Sequence, residues 1–301
     1  MAIPYNTTDA GTSIRDALER HLRIKHNGTW EHVEDVNVKD GGSWRDVKEV
    51  WVKSGGTWRL VHEGEHFLFQ ATLSSNAQNE FNLGNWISSQ GYSGNKIKGA
   101  VIVANVQQQV NLGNFSSDSR VYLRINTDRR ITGRGGNGGA KGGNNGQNGQ
   151  RGLYTRTNFI LDNGGVIAGG GGGGAGGNNS NCVYQNTNYF SCQKGEQCSE
   201  LVQNQSPAYG GGGGGGAGYP GGNGGGNGGN NGQQWGGGGG GGNDGCGSNS
   251  GGGGGDLGQN GQNAPGGGGS GGSAGTAIDG WSYRYSQSGS NDGDIRGAKN
   301  N

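Results

Sequence analysis

The sequence predicts a mainly β protein with much irregular chain: β-hairpin repeats at the N-terminus, a β-rich connector, and a C-terminal bundle of glycine helices held by β caps. Three observations predict it. A tryptophan recurs every 14 residues, at Trp30, Trp44 and Trp58. Apolar and alternating runs cluster between residues 67 and 130. Beyond residue 130 lie 64 of the 76 glycines, many of them at every third position. The expected parts are therefore residues 1–66, 67–132 and 133–301.

Composition narrows the partners. The formal net charge is +1 and no basic block stands out, which argues against nucleic acid. No run of about 18 apolar residues is present to span a membrane. The opening "MAIPYNTTDA" has no charged-then-apolar leader, so release from the producing cell is expected by another route, such as lysis.

Within residues 1–23, "SIRDALERHL" places Ile14, Ala17, Leu18 and Leu22 on one helical face, with Thr12 or Ser13 as cap. The tryptophan repeat follows as "IKHNGTWEHVEDV", "NVKDGGSWRDVKEV" and "WVKSGGTWRLV". Each unit reads as strand, two-residue turn, strand, because Asn27-Gly28, Gly41-Gly42 and Gly55-Gly56 supply the positive φ of tight hairpins. The expected arrangement is a β-meander. Hairpins are marginal alone, so Trp30, Trp44, Trp51 and Trp58 are candidate attachment residues toward a neighbouring chain. A small self-contained sheet is the plainer alternative.

The connector carries "FLFQATL", "IKGAVIVANV" and "VYLRIN", the only conventional core in the chain. Glycine then acquires a period. It recurs at 133, 136, 139 and 142, then at 143, 146, 149 and 152, and again through 222, 225 and 228. Three residues per turn is the pitch of the polyproline-II helix, which has no internal hydrogen bonds. The all-glycine runs 169–174, 210–216, 236–242 and 251–255 suit helices enclosed on every side. The GxxG runs suit outer helices that show Asn, Gln or Lys to water. Cohesion then comes from main-chain contacts between neighbours.

Glycine-rich sequence is often a flexible coil. Two features argue for order. The runs have similar lengths, and apolar strands punctuate them in a recurring way, in "VYLRINTDRRITGRGG", "NFILDNGGVIAGGGG" and, more loosely, "WSYRYSQSGSNDGDIRGA".

Motifs that suggest chemistry are weak here. "HEGEH", from His62 to His66, has the letters of a zinc protease site but follows a strand repeat and has Gly64 at its centre, so a helix is not expected. Gly133, Gly135 and Gly138 match GxGxxG, which costs nothing in such a tract. No catalytic constellation, metal site or cofactor is expected. Cys182, Cys192, Cys198 and Cys246 lack CxxC spacing. One or two disulfides or free thiols both fit, and the pairing stays open.

The insert "NSNCVYQNTNYFSCQKGEQCSELVQNQ" matters more for its aromatics and amides. Tyr184, Asn186, Asn188, Tyr189, Phe190, Gln193 and Lys194, with Tyr209, Tyr219 and Trp235, lie in or beside breaks between glycine runs. Rigid aromatics among adaptable amides are what recognition loops use. The alternative is that some of them, Trp235 especially, seal the bundle ends.

From "FNLGNW" through "ITGRGGNGG" at 131–139 and "GGVIAGGGGGG" at 164–174 to the closing "SAGTAIDG" and "DIRGA", the chain resembles the glycine-rich tip region of bacteriophage tail fibres. The resemblance spans roughly residues 80–301. It implies a polyglycine-II sandwich whose end loops touch the bacterial surface, similar to the long-tail-fibre tip adhesins of T-even-type phages. The long Cys-containing loops and the Trp hairpins depart from that pattern, and the hairpins look like modules of other phage fibres.

The expectation is therefore a non-enzymatic viral adhesin at the distal tail or fibre tip. Residues 1–66 would attach to other virion tail or fibre proteins, and 133–301 would present loops to a host outer-membrane protein or surface glycan. Whether the tip is one chain or a homo-oligomer stays open. The alternative is a structural or ice-binding protein, since flat glycine-helix bundles resemble the antifreeze proteins of the snow-flea type; long aromatic inserts argue against a regular ice face. A glycan depolymerase comes third, without the paired acids it needs.

Overall fold

The computed structural model describes residues 23–32, 36–47, 49–63, 66–191, 197–234, 237–243, 249–285 and 290–301. The helix expected before residue 23 lies outside them. The described residues are β-rich, with one α-helix.

Three two-stranded hairpins open the described chain. Arg23–His26 pairs with Thr29–His32, Asn37–Asp40 with Ser43–Asp46, and Glu49–Ser54 with Thr57–Glu63. Both central residues of every turn take positive φ, from 50° at Asn27 to 85° at Gly28 and Gly42. Such turns match the twist of the flanking strands. The register sets Lys25, Lys39 and Lys53 opposite Trp30, Trp44 and Trp58. No ladder joins one hairpin to the next among the described residues, so they are separate ribbons and not the continuous meander expected.

From Phe67 onward the chain coils. Three sheets form, all parallel, and each stretch of chain visits them in the same order. The first sheet takes Phe67–Leu73, Ile97–Val103, Arg120–Ile125 and Phe159–Asn163, with bridges from Arg284 and Asn291 extending it. The second takes Val106–Gln107, Arg130–Thr132, Val166–Ala168 and Asp294–Arg296. The third takes Phe81–Asn82, Val110–Asn111, Leu153–Tyr154, Ile278–Asp279 and Lys299–Asn300. Successive coils stack like side chains into spines: Ala71, Val101, Leu123 and Leu161 lie in register, as do Ile131, Ile167 and Ile295. All but the half-buried Ile295 are fully enclosed. Each buried aliphatic side chain contributes about 1.5–3 kcal/mol. These spines are the hydrophobic core.

The helix Leu83–Ser89 was not expected. Asn82 caps it by accepting the N–H of Asn85 at 3.0 Å. Leu83 and Ile87 enter the core, and Trp86 tilts against Phe69 with ring centroids 5.9 Å apart.

The glycine-rich chain is inserted into this coil between its second and third sheets. Residues 133–152 interrupt the third coil and residues 169–277 the fourth. The boundary drawn at residue 132 from glycine content thus does not coincide with a break, because strands after it complete the connector's own sheets. The three punctuating stretches of the sequence are successive coils: Val121–Ile125 aligns with Phe159–Asn163, and Arg130–Thr132 with Val166–Ala168 and Asp294–Arg296.

Within the insertions, hydrogen bonds recur at every third residue. Gly170, Gly171 and Gly172 donate to Gln150, Ala217 and Gln259, and Gly173, Gly174 and Ala175 donate to Gln147, Gly214 and Gln262. The carbonyls of Gly170, Gly171 and Gly172 accept from Gly275, Gly136 and Gly255. The segment 169–177 is thereby bonded to six neighbours. Segment 210–218 is too: Gly212, Gly213 and Gly214 donate to Asn227, Gly139 and Gly252, and Gly214, Gly215 and Gly216 accept from Gly174, Gly239 and Gly222. Both segments are buried along their glycines. The runs 236–242 and 251–255, expected to be equally enclosed, are not. Residues 237–242 bond to three neighbouring segments, and Gly240 is exposed.

Outer segments use asparagine where a neighbour is lacking. Asn145 and Asn148 accept the N–H groups of Ser270 and Ser273 at 2.8 Å, and Asn260 and Asn263 accept those of Ala274 and Gly271. A main-chain donor that finds no carbonyl is thus satisfied by a side chain.

Candidate functional site

The glycine segments lead away from the sheets and turn at their far end, at residues 142–144, 226–228 and 264–268. The longest excursion also leaves from there. Ser180–Ser191 pairs with Gln197–Ala208 in a hairpin of 12 cross-strand pairs. At about 3.4 Å per residue the ribbon reaches about 40 Å.

Its base is fixed by asparagines. Asn179 Oδ1 accepts the N–H of Gly210 at 3.2 Å, and Asn178 Nδ2 donates to the Gly267 carbonyl at 2.8 Å. Asn227 Nδ2 donates to the Gly210 carbonyl at 2.8 Å. Beside them Tyr209 is exposed, and the Lys141 ammonium sits 3.6 Å from its ring centroid. Such a cation–π contact at an exposed site is worth about 0.5–1 kcal/mol. Asn179, Ser180, Asn181, Pro207, Ala208 and Tyr209 line an open groove of about 240 Å³ at this base.

Of the residues singled out in the sequence, Tyr184, Asn186, Asn188, Tyr189 and Phe190 fall on the ribbon, opposite Asn204, Val202, Glu200, Ser199 and Cys198. Tyr209 stands at its base. Tyr219 does not join them. It is buried, in the turn nearest the sheets, where its N–H bonds to Gly133. Gln193, Lys194 and Trp235 lie outside the described residues, as do Cys192 and Cys246. Cys182 pairs with Ser206 and Cys198 with Phe190. That register separates the two cysteines by eight ladder positions, about 27 Å. Lys141 and Asn227 were missed; a lone lysine in "AKGGNNG" was the only available signal for the first.

Trp44, Trp51 and Trp58 are 69%, 47% and 61% exposed on the N-terminal hairpins. Lys39 and Lys53 lie 6.0 and 5.9 Å from the rings of Trp44 and Trp58.

The zinc-like motif is divided. His62 belongs to the strand Thr57–Glu63 and His66 precedes Phe67–Leu73, with Gly64 and Glu65 outside the described residues. Gly133, Gly135 and Gly138 lie in a glycine segment, where an added Cβ would overlap the main chain of its neighbours. Displaced ionisation belongs to the coil instead. Burial and a 2.8 Å hydrogen bond to Asp162 push the Tyr122 hydroxyl up, and hydrogen bonds from Ser116 and Lys96 draw Asp118 down to about 2. At the far end the described residues bring together main chain, asparagine amides and the Tyr209 ring.

A family model described as Phage tail fibre adhesin Gp38 matches residues 68–300. No curated protein and no solved structure matches the chain significantly.

Proposed function

The chain belongs to the phage tail fibre adhesin family, and from that premise we propose that residues 178–209 read the host surface from the far end of a stiff glycine scaffold. Membership makes the chain a tail component that engages host surface receptors and other tail parts, a structural role rather than a catalytic one.

The scaffold is read as a polyglycine-II sandwich. The three-residue rotation of donors and acceptors supports this, because it is what rods with three residues per turn require. Two adjacent rods in a hexagonal array have eight further neighbours. The eight other glycine segments fit those places, giving layers of three, four and three rods. Such a body needs no greasy core to hold a loop still.

The observation that carries the functional reading is the position of the ribbon. The longest insert, rich in Tyr, Asn and Gln, leaves the scaffold where the segments turn farthest from the sheets. Tyr184, Asn186, Asn188, Tyr189, Phe190, Gln193, Lys194 and Tyr209 are the proposed contacts. The receptor is a host outer-membrane protein or surface glycan, and several fibres engaging at once raise the avidity. Residues 1–66 attach the chain to the tail or fibre through Trp30, Trp44, Trp51 and Trp58, which places the adhesin distally.

Exchanging residues 178–209 for the insert of a related fibre tests the assignment. The strains that adsorb the particle should change with the insert. An unmoved host range would remove the ribbon from the recognition site.

A further inference from the structure

Resting on the reading of the ribbon as the receptor-binding element, we propose that it binds by main-chain pairing: the free edge of Ser180–Ser191 takes up an extended segment of a host surface protein as a third strand.

The ribbon is a sheet of two strands, with no third among the described residues. In an antiparallel strand alternate residues turn their N–H and C=O groups toward the partner and away from it. A strand of 12 residues therefore offers about six outward-facing residues to a new neighbour. Proteins usually blunt such an edge with charge, proline, bulges or short strands. This chain does so elsewhere. The hairpin strands Asn37–Asp40 and Ser43–Asp46 are four residues long and carry Lys39, Asp40, Arg45 and Asp46.

The strand Ser180–Ser191, "SNCVYQNTNYFS", carries no charge, proline or glycine, and its ladder has no register shift. Its partner Gln197–Ala208 contains Glu200 and Pro207, so the first strand has the less guarded edge. The exposed Asn181, Val183, Gln185, Thr187 and Asn188 are small or amide side chains that suit an adjacent strand. No charged group on this strand selects for an anionic sugar. The regular spacing of donors and acceptors along a strand edge matches an extended peptide backbone better than the irregularly placed hydroxyls of a glycan. A two-stranded ribbon is also marginal by itself in water. A third strand would order it at the moment of binding, as in other cases of strand addition.

The experiment uses the full-length adhesin, a susceptible strain and its outer-membrane vesicles. Proline is placed singly at Tyr184, Gln185, Asn186 and Thr187, alongside alanine at the same positions. Prolines of one parity remove bonds within the ribbon and should abolish exchange protection of residues 201–205. Those of the other parity should keep that protection yet weaken adsorption about tenfold. Alanine at Gln185 or Thr187 should stay within about threefold, and alanine at Tyr184 or Asn186, themselves proposed contacts, should weaken adsorption less than proline at the same position. In the unmodified adhesin, vesicles should slow amide exchange at alternate residues between 181 and 190, a measurement that needs no variant.

Unchanged exchange in that segment on binding overturns the proposal, as does outward proline that binds like the wild type. If alanine weakens binding as much as proline, side chains carry recognition; pairing is then refuted while the ribbon remains the reader. A dimer that outward proline dissolves assigns the edge to a second copy and also overturns the proposal. Binding lost when vesicles are stripped of glycan but retained after proteolysis does the same. Failure of the receptor-binding reading itself is distinct: the insert exchange would then leave host range untouched.

Discussion

A methyl group on Gly214 would overlap the carbonyl of Gly239, whereas one on Gly240 would meet nothing nearer than the Asn230 amide nitrogen at 3.5 Å. Gly214→Ala should therefore force two segments apart and lower stability by about 1–3 kcal/mol or more, as overpacking does. Gly240→Ala should be neutral or stabilise by up to about 1 kcal/mol, through a less free unfolded chain. Thermal unfolding of the two variants checks the contrast, and equal midpoints would remove the close packing that distinguishes the sites. Asp118 gives a second test. Lys96 Nζ lies 3.1 Å from its carboxylate, and the Ser116 hydrogen bond helps hold its pKa at about 2 against an ordinary 3.8. A depressed carboxylate stabilises the fold above its unfolded pKa and loses that contribution as pH falls toward the folded value. The wild type should thus lose stability between about pH 4 and pH 2. Asp118→Asn should start lower at neutral pH and decline less over that window, measured by urea unfolding at each pH. Parallel curves would show that this carboxylate carries no linkage. The polar residues hold a further lesson. Asparagines three apart, at 145 and 148 or 260 and 263, were legible as a water-facing row; that they accept a neighbour's N–H was not, because the neighbour lies 125 residues along the chain for the first pair and is set by how the segments fold back for the second.

At the scale of elements, the N-terminal hairpins and the long ribbon share one plan but differ in what they leave open. Each short hairpin sets a lysine against a tryptophan beside its turn, and Trp44 and Trp58 stay mostly exposed. Exposed rings carry little of the fold. The double variant Trp44→Ala, Trp58→Ala should keep its melting temperature within about 2 °C, since surface changes stay near 0.5 kcal/mol. Particles assembled with it should lack the adhesin in a gel of purified virions. Normal incorporation would take these rings out of the attachment surface. The hairpin turns were legible because two adjacent residues fix them: Asn27-Gly28, Gly41-Gly42 and Gly55-Gly56 take positive φ whatever lies elsewhere. The parallel coil was not. Its rungs are two to seven residues long, and Leu153 pairs with Ile278 across the whole glycine insertion. Nothing in a window of local sequence announces such a partner. Tyr219 shows the same limit in the candidate site. It borders a glycine run just as Tyr209 does, yet it turns inward at the near end while Tyr209 stands beside the ribbon.

The whole molecule joins two kinds of cohesion that calorimetry can separate. Spines of Val, Leu, Ile and Phe hold the coil, and their exposure on unfolding raises the heat capacity. The glycine segments bury main chain against main chain, with few apolar side chains beyond Ala168, Ala175, Ala217 and Leu257. Exposing polar main chain lowers the heat capacity instead. An ordinary chain of 301 residues, at roughly 12–15 cal/mol/K per residue, would give about 4 kcal/mol/K on unfolding. This protein should fall well short of that, while its unfolding enthalpy stays substantial because so many main-chain hydrogen bonds break together. Its stability curve should consequently be flat, with slow loss on both cooling and heating. Scanning calorimetry at several pH values gives the slope of enthalpy against melting temperature, and with it the heat capacity. A slope at the ordinary value would have one of two meanings. Either the glycine body hides far more apolar surface than its sequence contains, or it does not unfold with the rest. Amide exchange of residues 171–176 and 211–217 at the midpoint distinguishes these, since a cooperative body loses its protection there together with the coil.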